Sequence, residues 1–339
     1  MNNLNQNNKD FSDAVSNWFF TSGRNNLPWR KKISPYRVWI SEIMLQQTKV
    51  NTVIPFFKKF IKKYPNLQSL SDASEDDILA LWSGLGFYKR AKNIFKTKEI
   101  IKNSFNNTFP KKFDELILLP GIGKSTAGAI MSIAYGKSFP ILDANVKRVI
   151  SRFDNIDIES KGAIKNLWEK AEAYTPNKNI FEYTQGIMDL GATICHSRSP
   201  SCVECPLNYS CKNAYKKFDI SKRNKKQRLT KKINFTLAHS NETFLLFRKN
   251  DKSFWESLWV PYDNKYNLKS DIFKQPEKSQ VQNFSHALSH INLDITVEIF
   301  DYKKPFKIET NLEYQWINKQ KINQFGLPKP IKFIIENYV

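Results

Sequence analysis

The sequence predicts a mainly α-helical domain followed by a smaller α+β module, and three observations lead to this fold class. Through most of the stretch 11–212, apolar residues recur every three or four positions, which is typical of helices that bury one face. After residue 232 the pattern changes to short runs of alternating apolar and polar residues, as in half-buried β-strands. Between these regions, residues 216–232 carry nine basic side chains and one acidic one. The 339 residues are therefore divided into a helical domain at 1–215, a basic linker at 216–232 and a second domain at 233–339.

The individual elements are bounded by residues that start or stop helices. Pro55 is predicted to open a helix at its first position, where no amide hydrogen is needed, and Ser74 to cap the next one. Pro110 and Gly136 mark later breaks. The predicted helices cover 10–20, 36–64, 74–82, 88–103, 111–119, 125–134, 145–153, 164–174 and 181–194. The predicted strands cover 233–238, 243–248, 258–261, 295–300 and 312–316.

The charge balance indicates a polyanionic partner. There are 53 Lys and Arg residues against 32 Asp and Glu residues, which gives a formal net charge of +21. Nucleic acid is the first candidate partner and an anionic membrane the second. The basic linker is either simply solvated or also lies along phosphates, and both interpretations stay open. The polar N-terminus and the lack of a long apolar run favour a cytoplasmic protein without a membrane segment.

All four cysteines of the chain lie within 17 residues, at Cys195, Cys202, Cys205 and Cys211. Thiolates held so close together can converge on one metal centre, and in a chain without an export signal this is favoured over disulfides. Sulfur ligation suits either zinc or an iron–sulfur cluster, so ligand chemistry leaves the metal open. His196 is interpreted as an ordinary neighbour of the loop.

One carboxyl group lies in an otherwise apolar helical segment. Glu42 is the only charged residue in the eleven-residue stretch 38–48, and six of the first eight residues are large and apolar. Desolvation would raise the pKa of Glu42 and keep a proton available for acid catalysis near neutral pH. The alternative is that Glu42 faces water or interacts with Arg37.

Two further segments could meet DNA. The stretch 118–128 contains Gly121, Gly123 and Lys124 between two predicted helices, an arrangement that lets backbone amides approach an oxygen anion. A tight turn between helices would explain it equally well. About 20 residues later come Asp143 and Asn145, which could act in chemistry or serve only as an N-cap for the following helix.

Longer motifs resemble one family of enzymes. The segments 27–30 (LPWR), 35–48 (PYRVWISEIMLQQT), 82–91 (WSGLGFYKRA), 188–192 (MDLGA) and the cysteine loop are similar to the adenine DNA glycosylase (MutY) family. The similarity extends over residues 10–215. It implies the helix-hairpin-helix fold of the endonuclease III superfamily, with the hairpin at about 112–134 and a cluster loop at 195–211. It also implies a [4Fe-4S] cofactor held by the four cysteines.

The resemblance assigns chemical roles to two acids. It implies that Glu42 protonates N7 of an adenine flipped out of the duplex and then assists the attacking water. It also implies that Asp143 stabilises the positively charged sugar, either electrostatically or by a transient covalent bond. Lyase relatives carry a lysine at position 125, and this chain has Ser125, which cannot form an imine. The resemblance therefore implies a monofunctional glycosylase.

The resemblance also implies binding residues. Those lining the adenine pocket are Trp29, Arg30, Leu45, Ser125, Gln185 and Met188. Those contacting DNA are Gln47, Phe87, Tyr88, Gly121, Gly123, Lys124 and Asn145. Within this set, Gln47 and the 84–88 loop match elements that wedge into the duplex. Phe87 departs from the tyrosine of many members, which removes a hydroxyl but keeps a ring that can stack.

The second module resembles the Nudix-like C-terminal domain of the same family, on segments 244–248 (FLLFR) and 254–261 (FWESLWVP). It has no glycine-and-glutamate Nudix box, so we expect it to recognise the lesion rather than react with it. Ser289 and His290 match the residues that sense 8-oxoguanine, and Leu288 replaces the usual phenylalanine. Without the resemblance, both histidines of 286–290 would be interpreted as structural.

The complete prediction is a monomeric, mainly α enzyme with a C-terminal α+β Nudix-like domain. Its expected partner is double-stranded DNA that contains adenine opposite 8-oxoguanine or guanine. One alternative is an endonuclease III-like pyrimidine glycosylase/lyase, which Ser125, Glu42 and the second module oppose. The other is a non-catalytic DNA-binding protein with a structural zinc site, which would leave Glu42 and Asp143 without a role.

Overall fold

The computed structural model describes residues 2–216, 228–251, 254–266, 273–288 and 291–338. The chain forms two compact units. The first consists of residues 1–72 and 96–224, and the second of residues 73–95 and 225–339. Residues 73–95 therefore pack with the C-terminal part of the chain.

The helices occupy most of the first unit. In chain order they are α1 (Asn2–Ser22), α2 (Pro35–Leu45), α3 (Val50–Lys63), α4 (Leu67–Ser71), α5 (Glu75–Trp82), α6 (Lys89–Ser104), α7 (Phe113–Ile117), α8 (Lys124–Tyr135), α9 (Ala144–Asp154), α10 (Ala163–Tyr174) and α11 (Ile180–Thr193). A single 3-10 turn, Pro28–Arg30, precedes α2. Of these elements, α5 and the start of α6 belong to the second unit.

Two helices cover the predicted helical stretch 36–64, and the predicted helix start at Pro55 is wrong. α2 ends at Leu45 and α3 begins at Val50, and Gln47 between them has a left-handed φ of 57°. Pro55 does not open a helix but lies inside α3. A proline there removes one backbone hydrogen bond, and burial of the apolar residues Val53, Phe57 and Phe60 along the same helix offsets that loss.

Capping side chains fix where the helices nearest the candidate site begin. The Ser34 side chain accepts a hydrogen bond from the Arg37 amide, and Pro35 occupies the first turn of α2. At the start of α9, Asp143 accepts a hydrogen bond from the Val146 amide. These caps set the positions of Glu42 on α2 and of Asp143 at the head of α9.

Close backbone contacts hold the helices of the first unit together. α2 and α11 both pack against α8. A Cβ added to Gly128 on α8 would lie 2.3 Å from the Pro140 carbonyl oxygen, and one added to Gly191 on α11 would lie 2.6 Å from Asn145 Cβ. Only glycine permits such contacts, so α8 and α11 lie directly against the segment that carries Asp143.

The second unit contains a mixed sheet. Its strands are β1 (Leu229–Ser240), β2 (Thr243–Arg248), β3 (Trp259–Val260), β4 (Tyr262–Asp263), β5 (Lys278–Ala287), β6 (Ile291–Asp301) and β7 (Tyr314–Asn318). The order is β3-β2-β1-β6-β5, with β4 paired to β1 and β7 to β2. β1 and β6 run parallel, and the other pairs are antiparallel. The C-terminal helix α12 (Lys329–Asn337) follows the last strand.

The alternating pattern predicted most of this sheet and missed two strands, the two-residue β4 and the longer β5. The edge strand β5 was not predicted, since its residues are mostly polar or exposed. Along the described residues, no helix is both long enough and apolar enough to span a bilayer.

Candidate active site

Glu42 lies on α2 among buried neighbours, which include Trp39, Ile40 and Ile43. Burial, as the larger cause, and the nearby charge of Asp143 together raise the pKa of Glu42 to about 7. Arg30 opposes the shift because its positive charge favours the carboxylate. A carboxyl group with this pKa exchanges its proton near neutral pH, as general acid–base catalysis requires.

Asp143 is the N-cap of α9, and its carboxylate accepts hydrogen bonds from residues in the first turn of that helix. The Val146 amide donates to Oδ1 at 2.8 Å, and the Asn145 side-chain amide donates to Oδ2 at 3.5 Å. Burial raises the pKa of Asp143, and these hydrogen bonds and the charge of Arg148 act against the shift. The N-cap alternative is thus correct as geometry, and it does not conflict with a chemical role, because the carboxylate also acts electrostatically on Glu42.

The hairpin helix α8 connects the two acids. Leu142, which precedes Asp143, donates its amide hydrogen to Ser125 Oγ at 3.0 Å. Gln46, which follows α2, donates from Nε2 to the Gly121 carbonyl at 3.3 Å. Ser125 therefore contacts the backbone beside Asp143, at the start of the helix on which α2 packs.

A buried ion-pair cluster lies beside Glu42. Arg30 donates from Nη1 and Nη2 to the two oxygens of Asp189, at 2.7 and 2.9 Å. Arg24 also binds Asp189 through its backbone amide and its guanidinium, each at 2.9 Å or less. No role was predicted for Asp189 from the sequence. The signal was present, since Asp189 is the single charge in the apolar stretch IMDLGA of α11.

The other residues predicted for the adenine pocket lie in the same unit. Trp29 is buried in the 3-10 turn against Phe57, with ring centroids 5.5 Å apart. Gln185 is buried on α11, Met188 is partly buried one turn later, and Leu45 is partly buried at the end of α2. The alternative in which Glu42 interacts with Arg37 is not observed. The Arg37 guanidinium instead donates to the Pro28 carbonyl.

The glycine hairpin between α7 and α8 presents backbone amides. Gly121 has a left-handed φ of 82°. Gly123 caps α8 without a side-chain hydrogen bond, and no described atom lies within 4 Å of a Cβ built on it. Lys124 does not extend freely from the hairpin, because its Nζ lies 4.1 Å from the centroid of the Trp168 ring. The exposed amides at this helix start suit an oxygen anion.

Phe87 and Tyr88 belong to the second unit and Gln47 to the first. Gly84, Gly86 and Phe87 all have left-handed backbone conformations, with φ of 98°, 79° and 51°. The Phe87 side chain is 41% exposed. A strained backbone that holds an aromatic ring in solvent is a feature of a functional loop.

The cysteine loop encloses one cavity, which all four cysteines line, and they form no disulfide. The Arg152 guanidinium donates to Cys195 Sγ and the Tyr215 amide to Cys202 Sγ, each at 3.3 Å. Burial raises the pKa of Cys205 to about 11, which favours the neutral thiol when no cation is bound. Among the residues that the structure describes, no three Cys, His, Asp or Glu side chains are grouped to hold a metal ion.

An arginine joins this loop to the residue beside Asp143. Arg148 donates from Nε to the Cys195 carbonyl at 2.7 Å and from Nη2 to Asn145 Oδ1 at 2.9 Å. Asn145, predicted to contact DNA, is thereby fixed between Asp143 and the cysteine loop. Ser289 and His290, predicted to recognise 8-oxoguanine, lie outside the described residues.

Comparison with known proteins identifies the family. An adenine DNA glycosylase of Buchnera aphidicola subsp. Schizaphis graminum is 42% identical over 342 residues, which cover 96% of this chain and 98% of that protein. The chain belongs to the adenine DNA glycosylase family. The human adenine DNA glycosylase is 34% identical over 213 residues, covering 60% of this chain and 39% of the human protein. The family resemblance predicted from the sequence is confirmed.

Three further matches agree with the assignment. Residues 40–173 match the model of the HhH-GPD superfamily base excision DNA repair protein. A solved thermostable thymine-DNA glycosylase is 28% identical with a TM-score of 0.56, covering 63% of this chain and 97% of that structure. A non-covalent endonuclease III–DNA complex has the same fold, with a TM-score of 0.52, 22% identity and coverage of 60% of this chain and 92% of that one. The chain is therefore a DNA N-glycosylase of base excision repair with a helix-hairpin-helix core.

Proposed function

We propose that this enzyme excises adenine paired with 8-oxoguanine or guanine, by hydrolysis of the N-glycosidic bond. The observation that carries the proposal is a partly buried carboxyl group, Glu42, whose pKa is raised to about 7 near a second partly buried carboxyl group, Asp143. Two acids in unlike environments divide the tasks of proton donor and charge stabiliser. The adenine must first leave the duplex stack, because its bond to the sugar is otherwise inaccessible to the acids.

In the proposed reaction, protonated Glu42 donates its proton to N7 of the extruded adenine. The base then leaves as a neutral molecule, and its departure generates an oxocarbenium-like sugar cation. Asp143 stabilises this cation, held in place by the amides at the head of α9. The Glu42 carboxylate, now deprotonated, accepts a proton from the attacking water. Ser125 cannot form an imine, so the sugar–phosphate chain stays intact.

The adenine pocket is proposed to consist of Trp29, Arg30, Leu45, Ser125, Gln185 and Met188. Trp29 and Leu45 supply apolar surface, and Gln185 supplies an amide that can both donate and accept. Arg30 is anchored by Asp189, so its charge stays beside Glu42 rather than moving freely. The pocket thus combines stacking surface with a fixed cation near the acid.

Binding to the duplex is proposed to use two kinds of contact. Gly121, Gly123, Lys124 and Asn145 belong to the elements near the hairpin, which would hold phosphates without reading sequence. Gln47 and the loop that contains Phe87 and Tyr88 would contact the duplex around the mispair, with the exposed Phe87 ring entering it. The net charge of +21 supports electrostatic binding to the DNA backbone, with an affinity that falls steeply as the salt concentration rises.

The cysteine loop is proposed to hold a [4Fe-4S] cluster through Cys195, Cys202, Cys205 and Cys211. The cavity, the lack of a disulfide and the N–H donors to two sulfurs fit such a group. Four cysteines that line one cavity supply the thiolate ligands that such a cluster needs. When bound, the cluster would supply structural support or redox chemistry and would not break the glycosidic bond.

The C-terminal module is proposed to be a Nudix-like domain for lesion recognition, spanning 233–339 after a catalytic domain at 1–215 and a linker at 216–232. Ser289 would hydrogen-bond 8-oxoguanine, and His290 would meet a phosphate or support Ser289. The enzyme is proposed to act as a monomer, in the compartment that contains chromosomal DNA, the cytoplasm of a bacterium.

A single-turnover assay tests the proposal. Duplexes with adenine opposite 8-oxoguanine, guanine or thymine are incubated with excess enzyme, and base release and strand nicking are scored separately. We expect adenine release from the first two duplexes without nicking. Nicking in step with base release would instead indicate a lyase. Release of pyrimidines in place of adenine would overturn the assignment of the substrate.

A further inference from the structure

We infer that the C-terminal unit positions the duplex wedge, with Ser83 and the Tyr88 hydroxyl as positioning groups for Phe87. The inference rests on the proposed function, in which residues 84–88 enter the duplex. It goes further because it assigns insertion of the loop into the duplex and recognition of the lesion to the same structural unit. Four sets of contacts within the second unit carry it.

Residues 84–88 are called the wedge loop, and side chains at both of its ends donate to one C-terminal carbonyl group. Ser83 donates from Oγ to the Leu327 carbonyl oxygen at 3.0 Å, and Tyr88 donates from Oη to the same oxygen at 3.0 Å. The Tyr88 oxygen also accepts from the Gly84 amide at 3.4 Å. A loop with left-handed residues at 84, 86 and 87 is thus closed from both sides by a single acceptor.

The helix before the loop lies against the same C-terminal segment. A Cβ added to Gly326 would lie 2.6 Å from Leu79 Cβ on α5, so the two backbones are in the closest contact that glycine allows. The Gly326 carbonyl accepts from the Trp259 amide at 2.9 Å, which fixes this segment to β3. α5 therefore cannot shift without displacing a segment bound to the sheet.

An ion-pair cluster attaches the start of α5 to strand β2. Arg248 donates to Glu75 at 2.9 Å and to Asp76 at 3.0 Å, with the guanidinium partly buried. Trp259 donates from Nε1 to Asp76 at 3.3 Å. Beyond the loop, Lys92 on α6 pairs with Glu256 at 3.0 Å. Residues of the C-terminal part thus hold both helices that flank the loop.

The exposed ring is supported from within the loop. The Arg90 guanidinium lies 5.3 Å from the centroid of the Phe87 ring and 5.3 Å from that of Trp82, and it donates to the Gly86 carbonyl at 3.0 Å. Phe87 is therefore seated on α5 and α6, and these are fixed to the sheet. Any lesion contact made by the sheet will set where the ring enters the duplex.

A double-mutant cycle on the full-length protein tests this inference. The single variants are Ser83→Ala, Arg248→Met and Phe87→Ala. The double variants combine Phe87→Ala with Ser83→Ala and with Arg248→Met. The probe is a duplex with 8-oxoguanine opposite a tetrahydrofuran abasic analogue, with 2-aminopurine next to the 8-oxoguanine. Binding affinity and the fluorescence rise on unstacking are both measured.

We expect Ser83→Ala to weaken binding and the fluorescence rise by about two- to tenfold, the range for one hydrogen bond. In the Phe87→Ala background neither Ser83→Ala nor Arg248→Met should have a further effect on either signal, because both act through the ring. Additive losses, or no effect of Ser83→Ala on the fluorescence, would overturn the inference. No effect of Phe87→Ala would overturn the wedge itself and the inference with it.

The control variant is Thr243→Val. The Thr243 hydroxyl donates to the Ser240 carbonyl at 2.8 Å in a turn of the same unit, so this variant removes a similar bond away from the loop. It should leave binding and fluorescence unchanged, and a loss equal to that of Ser83→Ala would show a general effect of lowered stability. Adenine release is measured in a separate assay. Its absence would refute the proposed function, while the binding and fluorescence results would still test the position of Phe87.

Discussion

Arg30 and Asp189 form a two-point ion pair, with Nη1 and Nη2 at 2.7 and 2.9 Å from opposite oxygens of the carboxylate. The Asp189 side chain is fully buried, and Arg24 binds it as well. Burial alone would raise the pKa of Asp189, but the hydrogen bonds and charges of Arg30 and Arg24 hold it below its usual range. The pair fixes the guanidinium whose charge lowers the pKa of Glu42. It therefore connects α11 to the acid on α2.

Replacing Arg30 should shift the pH dependence of base release. Glu42 acts in its protonated form, so the single-turnover rate should fall as pH rises through about 7. In Arg30→Met the charge that favours the carboxylate is lost, the pKa of Glu42 rises, and the midpoint should move to higher pH. Arg24→Met is the matched control, because Arg24 binds the same aspartate but is not among the charges that act on Glu42. Equal midpoints in the two variants would contradict the role of Arg30.

Glu42→Gln should abolish catalysis while binding persists. Loss of the general acid should slow adenine release by at least about 100-fold, the lower range for such groups. Affinity for the lesion duplex should stay within about threefold, because replacing the carboxyl group by an amide changes at most one hydrogen bond to the DNA. Glu172→Gln on the exposed face of α10 is the control and should release adenine at the wild-type rate. Wild-type turnover by Glu42→Gln would remove Glu42 from the mechanism.

The stability of the same variant reports the pKa of Glu42 without any assay of activity. The folded-state pKa of about 7 exceeds the ordinary 4.5, so ionisation of Glu42 destabilises the fold as pH rises from 4.5 to 7. The free energy of unfolding of the wild type should therefore fall by about 3 kcal/mol relative to Glu42→Gln over that interval, and the difference should be constant above it. Urea unfolding at several pH values measures it. A difference independent of pH would show that Glu42 is solvated.

Two glycines on either end of α8 should respond in opposite ways. Gly123→Ala places a methyl group in open space at an ordinary φ of −86°, so stability should stay unchanged while affinity for undamaged duplex falls, because the methyl group obstructs a phosphate. Gly136→Ala forces alanine to a φ of 62° and should cost about 1–2 kcal/mol of stability without weakening DNA binding. Fluorescence anisotropy at low salt and thermal unfolding measure the two effects. Unchanged affinity in Gly123→Ala would exclude phosphate contact at that amide.

Cys205→Ser should release the cluster. The wild type is expected to contain four iron and four sulfide ions per chain, as a [4Fe-4S] cluster requires, and to absorb in the visible range. The variant should lose iron and visible absorbance together and unfold at a lower temperature, since the cavity loses a ligand. Elemental analysis gives the metal content of both proteins. Stoichiometric zinc in the wild type would overturn the assignment of iron.

Several features could be predicted from local sequence because neighbouring residues encode them. The apolar surroundings of Glu42 predicted its raised pKa, and that direction agrees with burial on α2. The spacing of the cysteines predicted one shared centre, and all four line one cavity. The catalytic and binding roles of these residues stay predictions. In contrast, Pro55 was misplaced because packing of one apolar face outweighed the helix-start preference of proline.

The sequence by itself determined the family, the helical and β-rich regions, and the residues proposed for the chemistry, since each is written in a short motif. Only the tertiary structure decided that Asp189 meets Arg30, 159 residues away, and that residues 73–95 pack with the C-terminal sheet. The reason is physical: a local pattern depends on neighbours along the chain, whereas such pairings depend on how distant segments return to each other. Arg248 carries no local sign that Glu75 will be its partner, and only the folded chain brings them within 2.9 Å.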